Sequence, residues 1–128
     1  MNKPTVVPVD DTGIVRIVAG AGRLDVYNAP LLREVSVQLV GELKYRQILD
    51  LEGVRDADST GLGVIVGAEK RALDHGGCLV LVNVGADLAH TLRITGLDKR
   101  LVIACDIESA IAFFTPPVFD DATEGDPA

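Results

Sequence analysis

The run Cys78-Leu79-Val80-Leu81-Val82-Asn83-Val84 is apolar almost without interruption. A strand with one face in water alternates apolar and polar side chains, whereas one buried on both faces does not. Such a strand belongs to a sheet covered by helices, and the surrounding sequence supplies them. Leu62, Ile65, Ala68 and Ala72 lie on one helical stripe before the run, and Leu88 and Leu92 are four apart after it. His75-Gly76-Gly77 ends the first of these helices and Gly96 the second.

The same alternation extends along the chain. Thr5 to Val9 and Ile14 to Val18 read as strands joined by the turn Asp10-Asp11-Thr12-Gly13, and Ala19-Gly20-Ala21-Gly22 breaks the second. A helix then carries Leu32, Val35, Leu39 and Leu43 on one face, with Asp25 or Asn28 as its cap and Pro30 in its first turn. A third strand spans about Arg46 to Leu51, Glu52 to Ala57 reads as a loop, and the next helix as Leu62 to Leu73. Gly63 and Gly67, four apart on it, suit close packing of helix on sheet. Leu101 to Ala104 is a last strand, and Asp106 caps a helix from Ile107 to Phe114 that Pro116-Pro117 stops. The order β-β-α-β-α-β-α-β-α predicts an α/β domain over residues 5–114. Its sheet is mixed and mostly parallel, with about five strands and four helices. Residues 1–4 form a loose end and residues 115–128 an acidic, disordered tail.

At 128 residues the chain is one domain with room for a real core. Asp120, Asp121, Glu124 and Asp126 carry four of its seven net negative charges. A mildly acidic body argues against nucleic acid and against an anionic membrane surface. No apolar run reaches the ~20 residues of a membrane span. Met1-Asn2-Lys3-Pro4 lacks a signal-peptide core, so the expected location is cytoplasmic. Cys78 and Cys105 show no metal-ligand spacing and read as buried thiols. On neighbouring parallel strands they would lie roughly 15 Å apart, too far for a disulfide.

The segment Asp58-Ser59-Thr60-Gly61-Leu62-Gly63 joins the third strand to the second predicted helix. A serine there meets free N–H groups and the positive end of the helix dipole. It can be a cap, a nucleophile or a phosphate acceptor. Nucleophilic catalysis needs a base within reach, and His75 is expected more than about 20 Å along the same helix. His90 falls on another helix, and the Gly-x-Ser-x-Gly elbow is absent. Gly61 and Gly63 lack the lysine of a P-loop, and no cofactor site is expected. Asp56 and Asp58 alternate, which suits a capped acidic turn better than a metal site. Cap and phosphoacceptor both remain open for Ser59, because an exposed hydroxyl at a helix N-terminus serves either.

Several pieces resemble one known family. They are Gly22-Arg23-Leu24-Asp25, Leu49-Asp50-Leu51-Glu52-Gly53-Val54, Asp58-Ser59-Thr60-Gly61-Leu62-Gly63-Val64, Gly76-Gly77 and Arg93-Ile94-Thr95-Gly96-Leu97. Together they resemble the STAS domain, and within it the bacterial anti-sigma factor antagonists. The resemblance implies a binding switch rather than an enzyme. An anti-sigma factor, itself a serine protein kinase, phosphorylates the serine at the position of Ser59. The unphosphorylated antagonist binds that kinase and frees the sigma factor, and a PP2C-type phosphatase resets the switch. Asp25, Asp58, Ser59, Thr60 and Leu62 then form the partner surface. Asp25 can equally be a helix cap and Leu62 a core residue. Arg23 stands where the family usually carries an acidic residue. Two alternatives remain open: an unphosphorylated scaffold STAS domain of a stressosome or lipid-transport assembly, and a nucleotide- or anion-binding domain using Arg23 or Arg55.

Overall fold

The computed structural model describes residues 3–9 and 13–114. The expected turn at Asp10-Asp11-Thr12 and the stretch after Phe114 lie outside the described residues. The elements are β1 (Thr5–Val9), β2 (Ile14–Val18), β3 (Gly22–Leu24), α1 (Ala29–Gly41), β4 (Arg46–Asp50), β5 (Val54–Ala57), α2 (Ser59–Asp74), β6 (Cys78–Val82), α3 (Ala86–Thr95), β7 (Val102–Ile103) and α4 (Ile107–Phe114). A single 3-10 turn, Leu97–Lys99, follows α3.

Five strands form the central sheet in the order β1-β2-β4-β6-β7. β1 is antiparallel to β2, and β4, β6 and β7 run parallel to β2. The expected mixed, mostly parallel sheet is therefore present. β6 shows why its sequence lacks alternation: Leu79 and Leu81 enter one core, while Val80 and Val82 enter the other. The first core takes Leu32 and Leu39 of α1, Ile65 and Ala68 of α2, and Leu88 and Leu92 of α3. The second lies under α4, where Ala110, Ile107, Ile111 and Phe114 meet Ile14, Ile48 and Val80. Three helices thus cover one face and α4 covers the other. Each fully buried Leu or Ile contributes about 1.5–3 kcal/mol, so the two layers anchor the sheet.

Two segments read as irregular are strands. β3 follows the Gly20–Gly22 break, and β5 occupies the expected Glu52–Ala57 loop. They pair with each other in parallel as a separate two-stranded sheet. With three and four residues they are too short to show a period. Arg23, Arg55 and Asp56 in them mask the inward Leu24, Val54 and Ala57. The predicted face of α1 also needs correction. Leu43 lies beyond the helix, 74% exposed with φ 64°, and Ser36 is buried instead, accepting a 2.6 Å hydrogen bond from Arg71 of α2. The strand at Cys78 ends at Val82, because Asn83 turns to φ 57°.

Both cysteines are free, but the buried-thiol reading fails for Cys105, which is exposed just past β7. The close-packing role expected of Gly63 and Gly67 also fails. A Cβ at Gly63 would touch nothing within 4 Å, and one at Gly67 only the end of Arg71 at 3.5 Å. Gly63 is an exposed helical glycine, so Gly63→Ala is expected to stabilise the fold by about 0.5–1 kcal/mol. Thermal unfolding should show Tm raised by roughly 3 °C.

Candidate functional site

The small sheet brings two distant stretches of chain to one place. In its register Gly22 faces Val54, Arg23 faces Asp56 and Leu24 faces Ala57. A bond from Gly22 N–H to the Gly53 carbonyl (2.8 Å) opens the pairing. At the other end, Asp58 N–H donates to the Leu24 carbonyl at 3.0 Å. Asp25, which follows Leu24, is thereby fixed beside the N-terminus of α2.

α2 begins three residues before the expected Leu62. Its cap is Asp58, in extended conformation (φ −87°, ψ −175°), whose Oδ1 accepts from Gly61 N–H at 2.9 Å. The cap reading of Ser59 is therefore corrected: Ser59 is the first helical residue, exposed, and Thr60 beside it is exposed too. Ser59 Oγ has no hydrogen-bond partner among the described residues. A carboxylate outcompetes a hydroxyl for an N-terminal N–H because the bond is charge-assisted. Leu62, one turn on, is half-buried and packs on the first core, so it serves the fold and the surface at once. Gly61 is required by contact. A Cβ there would sit 2.4 Å from the Leu24 carbonyl oxygen.

Asp25 organises the turn before α1. Its Oδ1 accepts from Tyr27 N–H (2.9 Å) and Asn28 N–H (3.3 Å), and its carbonyl accepts from Ala29 N–H (2.8 Å). Asn28 returns the contact, accepting from Asp25 N–H at 2.8 Å and donating to the Arg23 carbonyl at 2.8 Å. Asn28 is the N-cap residue of α1 but makes no side-chain cap bond, so the two expected caps build the turn before the helix instead of capping it. This tight turn thrusts Val26 and Tyr27 outward, 55% and 85% exposed. Sequence reasoning passed over these two. The signal was present, since both are apolar yet lie outside the α1 stripe.

Asp56 is committed to structure. Its Oδ1 accepts from Thr91 Oγ1 of α3 (2.7 Å) and from Ala57 N–H (2.8 Å), which ties β5 to α3. The Thr91 hydroxyl, and then the Ala57 N–H and the nearby charges of Arg23 and His90, hold its carboxyl below the usual range despite partial burial. Arg23 and Asp56 face each other in register, after a register shift between Gly22 and Arg23 that leaves the exposed Arg55 with no residue opposite it.

Among the described residues, no basic side chain is hydrogen-bonded to Ser59. His75 caps the far end of α2, a helix of 16 residues, bonding the Arg71 carbonyl at 2.8 Å and stacking on Tyr45 at 4.9 Å. His90 contacts Arg93 at 3.4 Å. Among the described residues neither histidine is hydrogen-bonded to Ser59. No helix among those residues is long and apolar enough to cross a membrane.

The STAS domain family matches residues 4–111. The anti-sigma-B factor antagonist of Bacillus subtilis is 41% identical over 91 residues, spanning 71% of this chain and 83% of that protein. Among solved structures, TM1081 of Thermotoga maritima superposes with a TM-score of 0.78 at 27% identity, covering 86% of this chain and 92% of its own. Unphosphorylated SpoIIAA, an anti-sigma factor antagonist, shares the fold at a TM-score of 0.67 and 18% identity, over 90% and 99% of the two chains. The chain belongs to the STAS domain family, in its branch of anti-sigma factor antagonists.

Proposed function

We propose that this chain is a cytoplasmic partner switch. It binds an anti-sigma factor that is a serine kinase, frees the sigma factor, and is turned off when that kinase phosphorylates Ser59. The docking face comprises Asp25, Asp58, Ser59, Thr60 and Leu62. The observation that carries the reading is the division of labour at the start of α2. Asp58 performs the capping, so the exposed Ser59 hydroxyl is held in a rigid frame with no structural duty. Transfer forms an Oγ–P bond, releases ADP from the γ-phosphoryl of ATP and passes the hydroxyl proton to a base on the kinase. The product carries about −1.5 to −2 charge beside Asp58 and Asp56. A helix N-terminus tolerates that charge, so the fold persists. A partner seated flat on the face would instead bury uncompensated negative charge, which costs several kcal/mol. A PP2C-type phosphatase would restore the binding form.

Phosphosite mapping tests this directly. The purified chain and its Ser59→Ala variant are incubated with ATP and a lysate of the source cells. Phosphate is expected on Ser59 of the wild type and on neither Ser59→Ala nor Thr60. Stoichiometric phosphorylation of Ser59→Ala would assign the wrong residue. No phosphate on either chain, with an active control substrate, would favour the unphosphorylated scaffold reading. Ser59→Asp is expected to weaken capture of the kinase while leaving Tm nearly unchanged.

A further inference from the structure

The second core opens into a groove at the end of the molecule away from Ser59. The groove has a volume of about 490 Å³. Its walls are Leu73 near the end of α2, Gly77 before β6, Cys78 and Val102 at the starts of β6 and β7, and Phe113 and Phe114 at the end of α4. Leu73 and Phe113 are about half exposed, while Cys78, Val102 and Phe114 are partly buried against the second core. α4, which covers that core, has eight residues and packs on β4 and β6. Its last residue, Phe114, is itself a wall of the groove, so the chain leaves the described residues at the groove. Along α2, Leu73 is about 21 Å from Ser59, which separates this pole from the site at the start of the helix.

The sequence beyond Phe114 suits this groove in length, polarity and charge. Pro116 disfavours helix at Thr115, and Pro116-Pro117 favours an extended chain. Val118 and Phe119 follow at once and are the only large apolar side chains after Phe114. An extended chain places them at most about 18 Å from Phe114. Asp120 and Asp121 come next, and Arg46, at the start of β4, lines the groove. We propose that Val118-Phe119 is an intramolecular strap that docks in this groove, with Asp120 and Asp121 directed toward Arg46. The strap extends the second core past the end of α4. Docking removes apolar area from water on both sides, from Val118 and Phe119 and from Leu73 and Phe113, which offsets the entropy of ordering a five-residue tether. That tether keeps the strap at high effective concentration, whereas a second copy must arrive from solution. Left open, a groove lined by two phenylalanines would be a surface for self-association.

The test follows the groove's own thiol. Cys78 lines the groove, and Cys105→Ser is introduced in every chain so that Cys78 alone reacts. The full-length chain is alkylated with N-ethylmaleimide at pH 8 beside a Val118→Ser/Phe119→Ser chain, which keeps every charge. The intact strap is expected to slow alkylation roughly fivefold relative to the double variant. That protection should be the same at low and high protein concentration. Ala122→Ser, beyond the strap, should react as the parent does. Equal rates in the parent and the double variant overturn the strap. Protection that grows with protein concentration overturns it too, because it would place a second copy in the groove. So does an acceleration by Ala122→Ser equal to that of the double variant, which would show only a general effect of the tail. Circular dichroism of each variant checks that the fold is kept. None of these outcomes bears on Ser59, whose role stands or falls on phosphosite mapping.

Discussion

Gly61→Ala should lower the stability of the domain by about 3 kcal/mol, while Gly63→Ala two residues on should raise it. The added methyl would lie 2.4 Å from the Leu24 carbonyl oxygen and 3.0 Å from both its carbonyl carbon and Leu24 Cγ. None of these atoms is the free end of a flexible side chain. The oxygen is also the acceptor of the Asp58 N–H, so α2 can only relieve the clash by moving off β3 and stretching that bond. Overpacking of this kind costs about 1–3 kcal/mol, and a weakened buried hydrogen bond adds about 1 more. Urea unfolding of the two variants beside wild type is the measurement. Phosphorylation of Ser59 in Gly61→Ala should also slow, since the displaced helix start presents its hydroxyl in the wrong place. Wild-type stability in Gly61→Ala would show that α2 does not press on β3.

Asp50→Ala should cost about 3 kcal/mol at neutral pH, because it strips a buried carboxylate from four donors. Asp50 is 1% exposed at the end of β4. It accepts from Arg16 Nε (3.0 Å) and Nη2 (2.5 Å), from Asn83 Nδ2 (3.0 Å) and from Glu52 N–H (3.0 Å). Burial alone would raise its pKa, but the bonds from Asn83, Arg16 and Glu52 N–H together hold it below the ordinary 3.8. A depressed carboxyl contributes stability that is complete above the unfolded pKa and is lost as pH falls through the folded one. The gap between wild type and Asp50→Ala should therefore be full at pH 7 and narrow below about pH 4. Urea midpoints measured from pH 7 to pH 2.5 decide it. A gap that stays constant would place the effect in packing rather than in charge. The same contacts explain why Asn83 accepts a left-handed backbone, since its amide is held to Asp50.

The parts of the fold legible in sequence are those where one local pattern decides the outcome. β6 reads as a doubly covered strand, α4 begins where Asp106 accepts from Ser109 N–H at 2.8 Å, and α3 ends at Gly96 with φ 79°. What escaped depends on partners far along the chain. β3 and β5 are too short for periodicity and exist because each completes the other. The start of α2 was misplaced because Asp58, Ser59 and Thr60 are all plausible caps. Only the fold shows that Asp58, tied back to Leu24, is the one aimed at Gly61. Ser36 was passed over for the α1 interface because its burial depends on Arg71 reaching across from α2. The resemblance groups Ser59, Asp25 and Leu62, but only the fold shows how the Leu24 carbonyl, bonded by Asp58 N–H, brings Asp25 beside the start of α2.

The small β3–β5 sheet shares no strand with the central one. Its inward residues Leu24, Val54 and Ala57 join the first core, but Arg23 and Arg55 contribute to neither. Descendants of one ancestral gene can therefore exchange these outward side chains while inheriting the five-stranded platform intact; under the proposed partner-switch function, the kinase each copy accepts would change with them. Parallel signalling pathways built from duplicated copies would then be insulated from one another by a few surface charges on two short strands.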